Sequence, residues 1–249
     1  VYKNIKKNVH LVSIAGGTDL VGCLVLGNIY SNVYQGEIQG QSLGIDVDVF
    51  TENGETTRDG EKGELVVKKP FPSMPIKFWG DENGRKYHKA YFTRFGNIWH
   101  HGDFIERTSN NGFIMRGRSD ATLNPGGVRI GTSEIYQQVE DIDFITEGLV
   151  VGQDYNDDIR VVLFVTTKNN QELDDGKIKS IKSRIRKNCS PKHVPSLIIK
   201  VPEIPRTKSG KIVELAVRKI INGGTINNEE AIANPKCLNF FQNLPQLKI

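Results

Sequence analysis

The spacing of hydrophobic positions divides the sequence into a first part typical of β-structure and a second part that mixes helices with strands. In the first 117 residues, apolar side chains occur in short runs or alternate with polar ones, as from Leu43 to Val49, which is the period of a half-exposed strand. The same signals predict strands at 9–14, 20–26, 63–67, 98–106 and 113–117, the last two forming a hairpin.

Beyond residue 117 the apolar positions follow a helical spacing as often as a strand spacing. Ile135, Val139 and Ile142 are four and three residues apart, which predicts an amphipathic helix. The other predicted elements are strands at 149–152, 159–167 and 197–201, a helix that Asp174 or Asp175 caps, and a helix at 213–221. This alternation predicts an α+β layer with its own core, and a boundary near Ser119 and Asp120.

The composition is that of an ordinary soluble globular chain. Of 249 residues, 37% are hydrophobic and 25% are charged, and the mean hydropathy is -0.38, which argues against disordered, collagen-like and membrane-spanning proteins. The apolar stretch at 20–26 is too short for a membrane helix, and a secretory signal is not expected. Three cysteines without metal-ligand spacing predict free thiols in a reducing compartment, the cytosol. Because position 1 is valine, we expect the chain to be a piece of a longer protein.

Positive charge is concentrated in one segment. Residues 177–219 hold 13 Lys and Arg against two acidic residues, a net charge of +11, whereas residues 1–176 carry a net charge of −7. A surplus of this size favours a polyanionic partner, such as nucleotide phosphates, a phosphorylated cofactor, nucleic acid or an anionic membrane. For residues 177–187, a solvated helix face is the alternative interpretation.

Two short stretches carry carboxylates in places that suggest ligand binding. Thr18 and Asp19 follow two glycines in a turn between predicted strands, and their oxygens could hold Mg2+, although turns of this composition are common. His100 and His101 stand close to Asp103 at a strand end and suggest zinc. Neighbouring side chains of a strand face opposite sides, however, so a surface or packing role is favoured for the histidines. Asp103 alone could bind sugar hydroxyls.

Two basic loops offer groups that bind phosphate. Arg118 and Arg129 flank a loop with Gly126 and Gly127, in which glycine lets the backbone approach a ligand and guanidinium groups grip phosphate or ribose oxygens. Lys211 follows a glycine in the second loop and could reach over a phosphate, although the nucleotide P-loop pattern is absent from the chain. Surface turns, or a short nucleic-acid contact, are the alternative interpretations of each loop taken alone.

Taken in order and with their spacings, these stretches resemble the motifs of the adenylate-forming superfamily of acyl-CoA synthetases, peptide-synthetase adenylation domains and luciferases. The resemblance covers the whole chain. It is carried by GGTD at 16–19, GELVV at 63–67, HGDF at 101–104, GRSDATLNPGGVRIGTSEI at 117–135 and PRTKSGKI at 205–212.

The resemblance implies an α+β fold in two domains. Residues 1–118 would be the mainly-β end of the large N-terminal AMP-binding domain, residues 119–121 a hinge, and residues 122–249 the small α+β C-terminal lid domain. The rest of the large domain, with its phosphate loop, would lie upstream, so the missing N-terminal part of the same polypeptide is the expected partner. We therefore expect the chain to be inactive alone.

The resemblance also implies an activity. ATP and a carboxylic acid would give acyl-AMP and pyrophosphate, and the acyl group would pass to coenzyme A (CoA), with no nucleic acid or membrane as partner. Position in the motifs implies these roles: ATP and AMP binding for Gly16, Gly17, Thr18, Asp19, Asp103 and Arg118; catalysis for Arg129 and Lys211; the hinge for Asp120; CoA binding for Gly126 and Gly127; Mg2+ binding for Asp19.

A narrower resemblance concerns the acid. The stretches KPFPSMP and NPKCLNFFQNLPQL are similar to those of superfamily members that activate acetoacetate. Acetate-activating relatives place a tryptophan where this chain has Ala15 or Gly16, so we expect more room for a longer acyl group. The alternative function is a non-catalytic module that binds RNA or an acidic partner through residues 177–219, although that segment has no aromatic residue for base stacking.

Overall fold

The computed structural model describes residues 1–226 and 229–248, and the chain forms two compact units, Val1–Ser119 and Asp120–Ile249. The regular structure of the first unit is mainly antiparallel sheet, and the second unit combines a mixed sheet with α-helices. The predicted α+β class is therefore confirmed. The predicted hinge at 119–121 spans the division between the units, and its role as a pivot stays a prediction.

Two antiparallel sheets form the scaffold of the first unit. One contains β1 (Ala15–Gly17), β2 (Gly22–Leu26) and β3 (Gly40–Gln41), and the other contains β4 (Val47–Phe50), β5 (Lys62–Val67), β6 (Trp99–Arg107) and β7 (Phe113–Arg118). Leu24, Leu65 and Trp99 are buried in a single hydrophobic core to which both sheets contribute. This shared core fixes the turn after β1 relative to β6.

Three predicted strands of the first unit differ from the structure. Residues 9–14 form no strand, because a strand needs a hydrogen-bonded neighbour and none pairs with them in the described part of the chain. The strand predicted at 20–26 begins only at Gly22, since residues 18–21 form a turn. The alternating segment at 43–49 is a strand only from Val47.

The sequence pattern missed α1 (Arg85–Tyr91), a helix with no buried residue. Its first turn is held by Asp81, whose carboxylate oxygens accept hydrogen bonds from Lys86 N at 3.1 Å and Tyr87 N at 2.8 Å. Tyr91 stacks on Trp99 with 3.7 Å between ring centroids. The helix depends on the carboxylate of Asp81 just before it and on the ring contact with Trp99, and hydrophobic periodicity could not have indicated it.

The second unit is built on a long antiparallel hairpin of β8 (Ile145–Tyr155) and β9 (Asp158–Thr167), with β10 (Leu197–Lys200) parallel to β9. Its helices are α2 (Thr132–Val139), α3 (Asp175–Asn188) and α4 (Glu214–Ile221). The pattern predicted each of these elements, but the hairpin's first strand is longer than the expected 149–152.

The β8–β9 hairpin is buried on both faces. Val150 and Leu163 pack in a core with α2 and α3, whereas Leu149 and Phe164 pack in a second core with α4 and the C-terminal segment. Burial on both faces explains why residues 161–165 are apolar at every position, since neither face can be left to water.

Asp174 caps α3, as its sequence predicts. The carboxylate accepts a hydrogen bond from Lys177 N at 2.9 Å, which holds the pKa of that carboxyl below its usual range. Ile181 and Ile185 are fully buried, and basic side chains occupy the opposite side. Part of the positive charge at 177–187 is therefore a solvated helix face.

Two predictions from composition can be compared with the structure. Cys23, Cys189 and Cys237 are free thiols, as their spacing predicts, and burial raises the pKa of Cys237 to about 11. Among the described residues, the helices are all too short or too polar to cross a bilayer.

Tyr136 joins α2 to β8 and α4. Its hydroxyl donates a hydrogen bond to a carboxylate oxygen of Glu214 and accepts one from Val150 N at 3.2 Å. Burial, and then the charge of Glu214, raise the pKa of Tyr136 well above its usual range, so the phenol stays protonated.

We expect Tyr136→Phe to lower the free energy of unfolding by about 1–3 kcal/mol, because it removes the hydrogen bonds that the Tyr136 hydroxyl makes with Glu214 and with Val150 N. Since the folded-state pKa of Tyr136 lies above the unfolded value of about 10, the contribution is complete below that pH. It is lost as the pH rises through the folded-state value. Urea unfolding followed by circular dichroism between about pH 8 and pH 11 measures both effects, and a variant that keeps the parent's alkaline slope would contradict them.

Candidate active site

The turn after β1 presents two oxygen-bearing side chains. Gly16 and Gly17 end β1, and Thr18 and Asp19 follow in an exposed turn. The turn ends at Val21, whose φ of 49° is rare for a β-branched residue and marks local strain.

His101 links this turn to β6. The buried imidazole hydrogen-bonds to the backbone of Gly16, and its Nδ1 accepts a hydrogen bond from Trp99 Nε1 at 3.3 Å. Its Nε2 lies 3.6 Å from a carboxylate oxygen of Asp103. Burial lowers the pKa of His101, against the opposing effects of Asp103 and Gly16, so the ring is neutral at physiological pH.

Asp103 and Arg118 are register partners on β6 and β7. Arg118 Nη1 lies 3.3 Å from Asp103 Oδ1 and donates to the His101 carbonyl oxygen at 3.4 Å. Gly102, with a φ of 84°, makes room for this guanidinium, because a Cβ there would lie 2.8 Å from Arg118 Nη2. Asp103 is buried and about half of the Arg118 side chain is exposed, so the pair has one charge inside and one toward solvent.

A second buried carboxylate, Glu64, holds the end of the first unit. It pairs with Arg94 Nη1 at 3.0 Å and His100 Nε2 at 2.9 Å, and Ser119 donates a hydrogen bond to it. His100 and His101 therefore contact different carboxylates and have packing roles, which is the favoured prediction. Among the described residues, no group of three or more His, Cys, Asp or Glu could hold a metal ion.

The turn at Thr18 and Asp19 has donors that fit Mg2+ bound together with phosphates. Both residues are exposed, and they supply one hydroxyl and one carboxylate. Mg2+ in such sites uses one or two carboxylates and takes its other oxygens from phosphate and water. The assignment of Mg2+ to Asp19 therefore stays a proposal that the chemistry of these donors supports.

In the second unit, Gly126 and Gly127 lie in a loop whose two ends pair as a β-bridge. Their φ angles are 56° and 77°, values that favour glycine. Arg129, half-buried in the same loop, donates from Nε to Thr122 Oγ1 at 3.4 Å. The loop thus has an open glycine tip and a guanidinium at its base.

Lys211 lies on an exposed turn. Thr207 N donates to the Lys211 carbonyl oxygen at 2.8 Å, and Lys211 N donates to Thr207 Oγ1 at 3.1 Å. At the start of this unit, the carbonyl oxygen of Asp120 accepts a hydrogen bond from Arg218 Nη1 at 3.2 Å.

The first unit brings five of its predicted site residues around one side chain that the sequence analysis did not assign to the site. The pKa of His101 is affected by Gly16, Asp19, Asp103 and Arg118. Gly17 lies against the ring, since a Cβ there would be 3.1 Å from His101 Cε1. Arg129, Lys211 and the glycine pair belong to the second unit. His101 is the first residue of the HGDF motif, but only the structure shows which way its ring points.

The space expected at Gly16 is partly filled. A Cβ built there would lie 2.2 Å from the Gly22 carbonyl oxygen and 2.6 Å from Cys23 Cα, so the β2 backbone occupies the direction a side chain would take. A side chain at position 16 therefore cannot project toward β2, and the expectation that the small residue here leaves room for a longer acyl group stays a prediction. Ala15, which packs partly buried against the core, does not meet this restriction.

Comparisons with known proteins point to one kind of enzyme, although no protein-family model matches the chain. Acetoacetyl-coenzyme A synthetase of Rhizobium meliloti is 57% identical over 248 residues, covering 100% of this chain and 38% of that protein. Acetoacetyl-CoA synthetase of Xenopus tropicalis is 46% identical over 250 residues, covering 100% and 37%. The solved acetoacetyl-CoA synthetase of Streptomyces lividans matches with a TM-score of 0.88 at 38% identity, covering 96% of this chain and 36% of that one. The chain spans less than two fifths of the length of these relatives.

We expect Gly16→Ala to destabilise the first unit by about 1–3 kcal/mol, because the added methyl group forces β1 away from β2. Gly22→Ala is the matched control in the same hairpin, since its Cβ would meet side-chain atoms of Ser73 and Leu20 and the Leu20 carbonyl oxygen, all at 3.3 Å or more. Both tryptophans, Trp79 and Trp99, lie in the first unit, so unfolding followed by their fluorescence reports on that unit. Equal stability of the two variants would contradict the packing described for Gly16.

Proposed function

We propose that this chain, a homologue of the acetoacetyl-CoA synthetases along its whole length, is part of an ATP-dependent acid–thiol ligase. The whole enzyme would join acetoacetate to ATP as acetoacetyl-AMP, releasing pyrophosphate, and then pass the acetoacetyl group to the thiol of CoA. The observation that carries the proposal is the 57% identity over the full chain, together with Asp103 and Arg118 as a pair on adjacent strands.

In the first half-reaction the first unit would bind the nucleotide. Asp103 would accept hydrogen bonds from ribose hydroxyls, and Arg118 beside it would balance the carboxylate and contact the same part of AMP. Gly16, Gly17 and Thr18 would lie near the α-phosphate, where glycine lets the backbone come close. His101 supports this arrangement, because it holds the turn and Asp103 in fixed relation.

Negative charge concentrates at the α-phosphate in this step, so positive groups must be directed there. Lys211 would bridge the acyl and phosphate oxygens, and Arg129 would contact phosphate. When bound at Asp19, Mg2+ would supply further positive charge to the phosphate oxygens. The exposure of Lys211 on a turn supports a role in which its ammonium reaches a ligand.

In the second half-reaction Gly126 and Gly127 would line the path of the CoA pantetheine arm. A Cβ on Gly127 would meet nothing within 4 Å, so the loop leaves room for a thin chain. Asp120, at the start of the second unit, would be the pivot that exchanges the Lys211 turn for this loop.

The proposed partners are acetoacetate, ATP, CoA and the remainder of the same polypeptide, in the cytosol. Free cysteines are consistent with a reducing compartment. The alternative, a non-catalytic module for RNA or an acidic partner, has no support among the relatives found.

On the intact enzyme, Lys211→Ala should lower the rate of adenylation by about 100-fold or more, because one preorganised cation is lost from the transition state. ATP–pyrophosphate exchange measures this step, and CoA consumption from supplied acetoacetyl-AMP measures the second. We expect the second rate to change little. Equal loss of both rates would remove Lys211 from the assigned role.

The isolated chain should not catalyse acetoacetate-dependent ATP–pyrophosphate exchange, since the proposal places the phosphate loop in the remainder of the polypeptide. The intact enzyme at the same molar concentration is the control. Robust exchange by the isolated chain would contradict this expectation.

A further inference from the structure

Arg206 connects the Lys211 turn to the rigid hairpin of the second unit. Its Nη1 donates to the Gly210 carbonyl oxygen at 2.6 Å, one residue before Lys211. Its Nη2 pairs with Glu147 Oε1 on β8 at 2.5 Å. About two thirds of each of these two side chains is shielded from solvent, so a single guanidinium ties the turn to a strand that is buried on both faces.

Asp158 connects the glycine loop to the same hairpin. Its Oδ1 and Oδ2 accept hydrogen bonds from Gly126 N at 2.8 and 3.0 Å. These bonds, more than any other contact, hold the pKa of Asp158 below its usual range, and the charge of Lys192 acts in the same direction. The Lys192 ammonium also lies beside Gly126, where a Cβ would be 2.4 Å from Lys192 Nζ, whereas a Cβ on Gly127 would meet nothing within 4 Å.

The two anchors lie at opposite ends of the hairpin. Asp158 is the register partner of Tyr155 at the turn, and Glu147 pairs with Thr166 near the other end. Tyr155 lies eight positions after Glu147 on β8, a length of about 26 Å in a regular strand. Because the hairpin holds the two loops this far apart, a local change at one anchor does not move the loop at the other.

We propose that Arg206, held by Glu147, is a positioning residue for Lys211, and that Asp158 is a positioning residue for the Gly126–Gly127 loop. Each would therefore serve one half-reaction. This inference rests on the proposed function, which assigns Lys211 to adenylation and the glycine loop to thiol transfer. Misplacing a reacting group by about 1 Å can reduce a rate 100-fold, so loss of either anchor should be measurable.

The test measures both half-reactions on the intact enzyme. Arg206→Ala should lower ATP–pyrophosphate exchange by about 10- to 100-fold and leave thioester formation from supplied acetoacetyl-AMP nearly unchanged. Asp158→Ala should give the reverse result. Each variant is thus a control for the folding of the other, because a general loss of structure would lower both rates together.

Conservative and matched variants separate positioning from charge. Asp158→Asn keeps an acceptor oxygen for Gly126 N and should recover most of the thioester rate. Lys208→Ala and Asp157→Asn remove the same charges from the same turns and should leave both rates unchanged. The double variant of Glu147→Ala with Arg206→Ala should be no slower in adenylation than Arg206→Ala alone, because the two residues act as one unit.

Lys211→Ala in the same assays distinguishes the two levels of the argument. If that variant fails to separate the half-reactions, the proposed function is wrong. If Lys211→Ala lowers adenylation alone, the proposed function stands. If Arg206→Ala and Asp158→Ala then lower the rates of both half-reactions equally, or lower neither rate, only the inference about the anchors is overturned. If Arg206→Ala does not fold, Arg206→Lys, which can keep one of the two contacts, takes its place. This variant must then lower the rate of adenylation and leave the rate of thioester formation nearly unchanged.

Discussion

Burial of the β8–β9 hairpin on both faces is the constraint on which the second unit depends. Val150 and Leu163 face one core, and Leu149 and Phe164 face the other, so neither strand can shift without exposing apolar surface on one side. A strand pair fixed in this way is a firm base for polar side chains at its ends. Glu147 and Asp158 are such side chains, and the loops that they hold carry the groups assigned to chemistry.

In the first unit, the polar turn at Thr18 and Asp19 must be held near the buried carboxylate of Asp103. His101 does this as a neutral imidazole, because a neutral ring can be buried and still use both nitrogens. A charged ring would cost far more to desolvate at the same place. Gly102 has no side chain that would collide with the Arg118 guanidinium, so Arg118 can lie beside Asp103.

The basic segment at 177–219 serves more than one purpose. Along α3 the positive side chains surround a buried isoleucine stripe and keep the outer face of the helix in water. Farther along, Arg206 pairs with Glu147 and donates a hydrogen bond to a backbone carbonyl oxygen, whereas Lys211 is exposed on its turn. Net charge alone indicates a polyanionic ligand but cannot distinguish these uses.

Much of the fold and of the site's residue content follows from the sequence by itself. Periodicity predicts most strands and helices of the second unit because those elements bury regular faces, and the motifs around Asp103, Arg118 and Lys211 resemble those of adenylate-forming enzymes. The sequence could not predict α1, held by Asp81, nor exclude a strand at 9–14, because both depend on what lies beside the segment. Only the tertiary structure decided that His101 joins two motifs, that β2 fills the space beside Gly16, and that Arg206 and Asp158 anchor the two loops. Most of these contacts join residues distant in the chain, and all of them depend on strand register and packing, which local patterns do not encode.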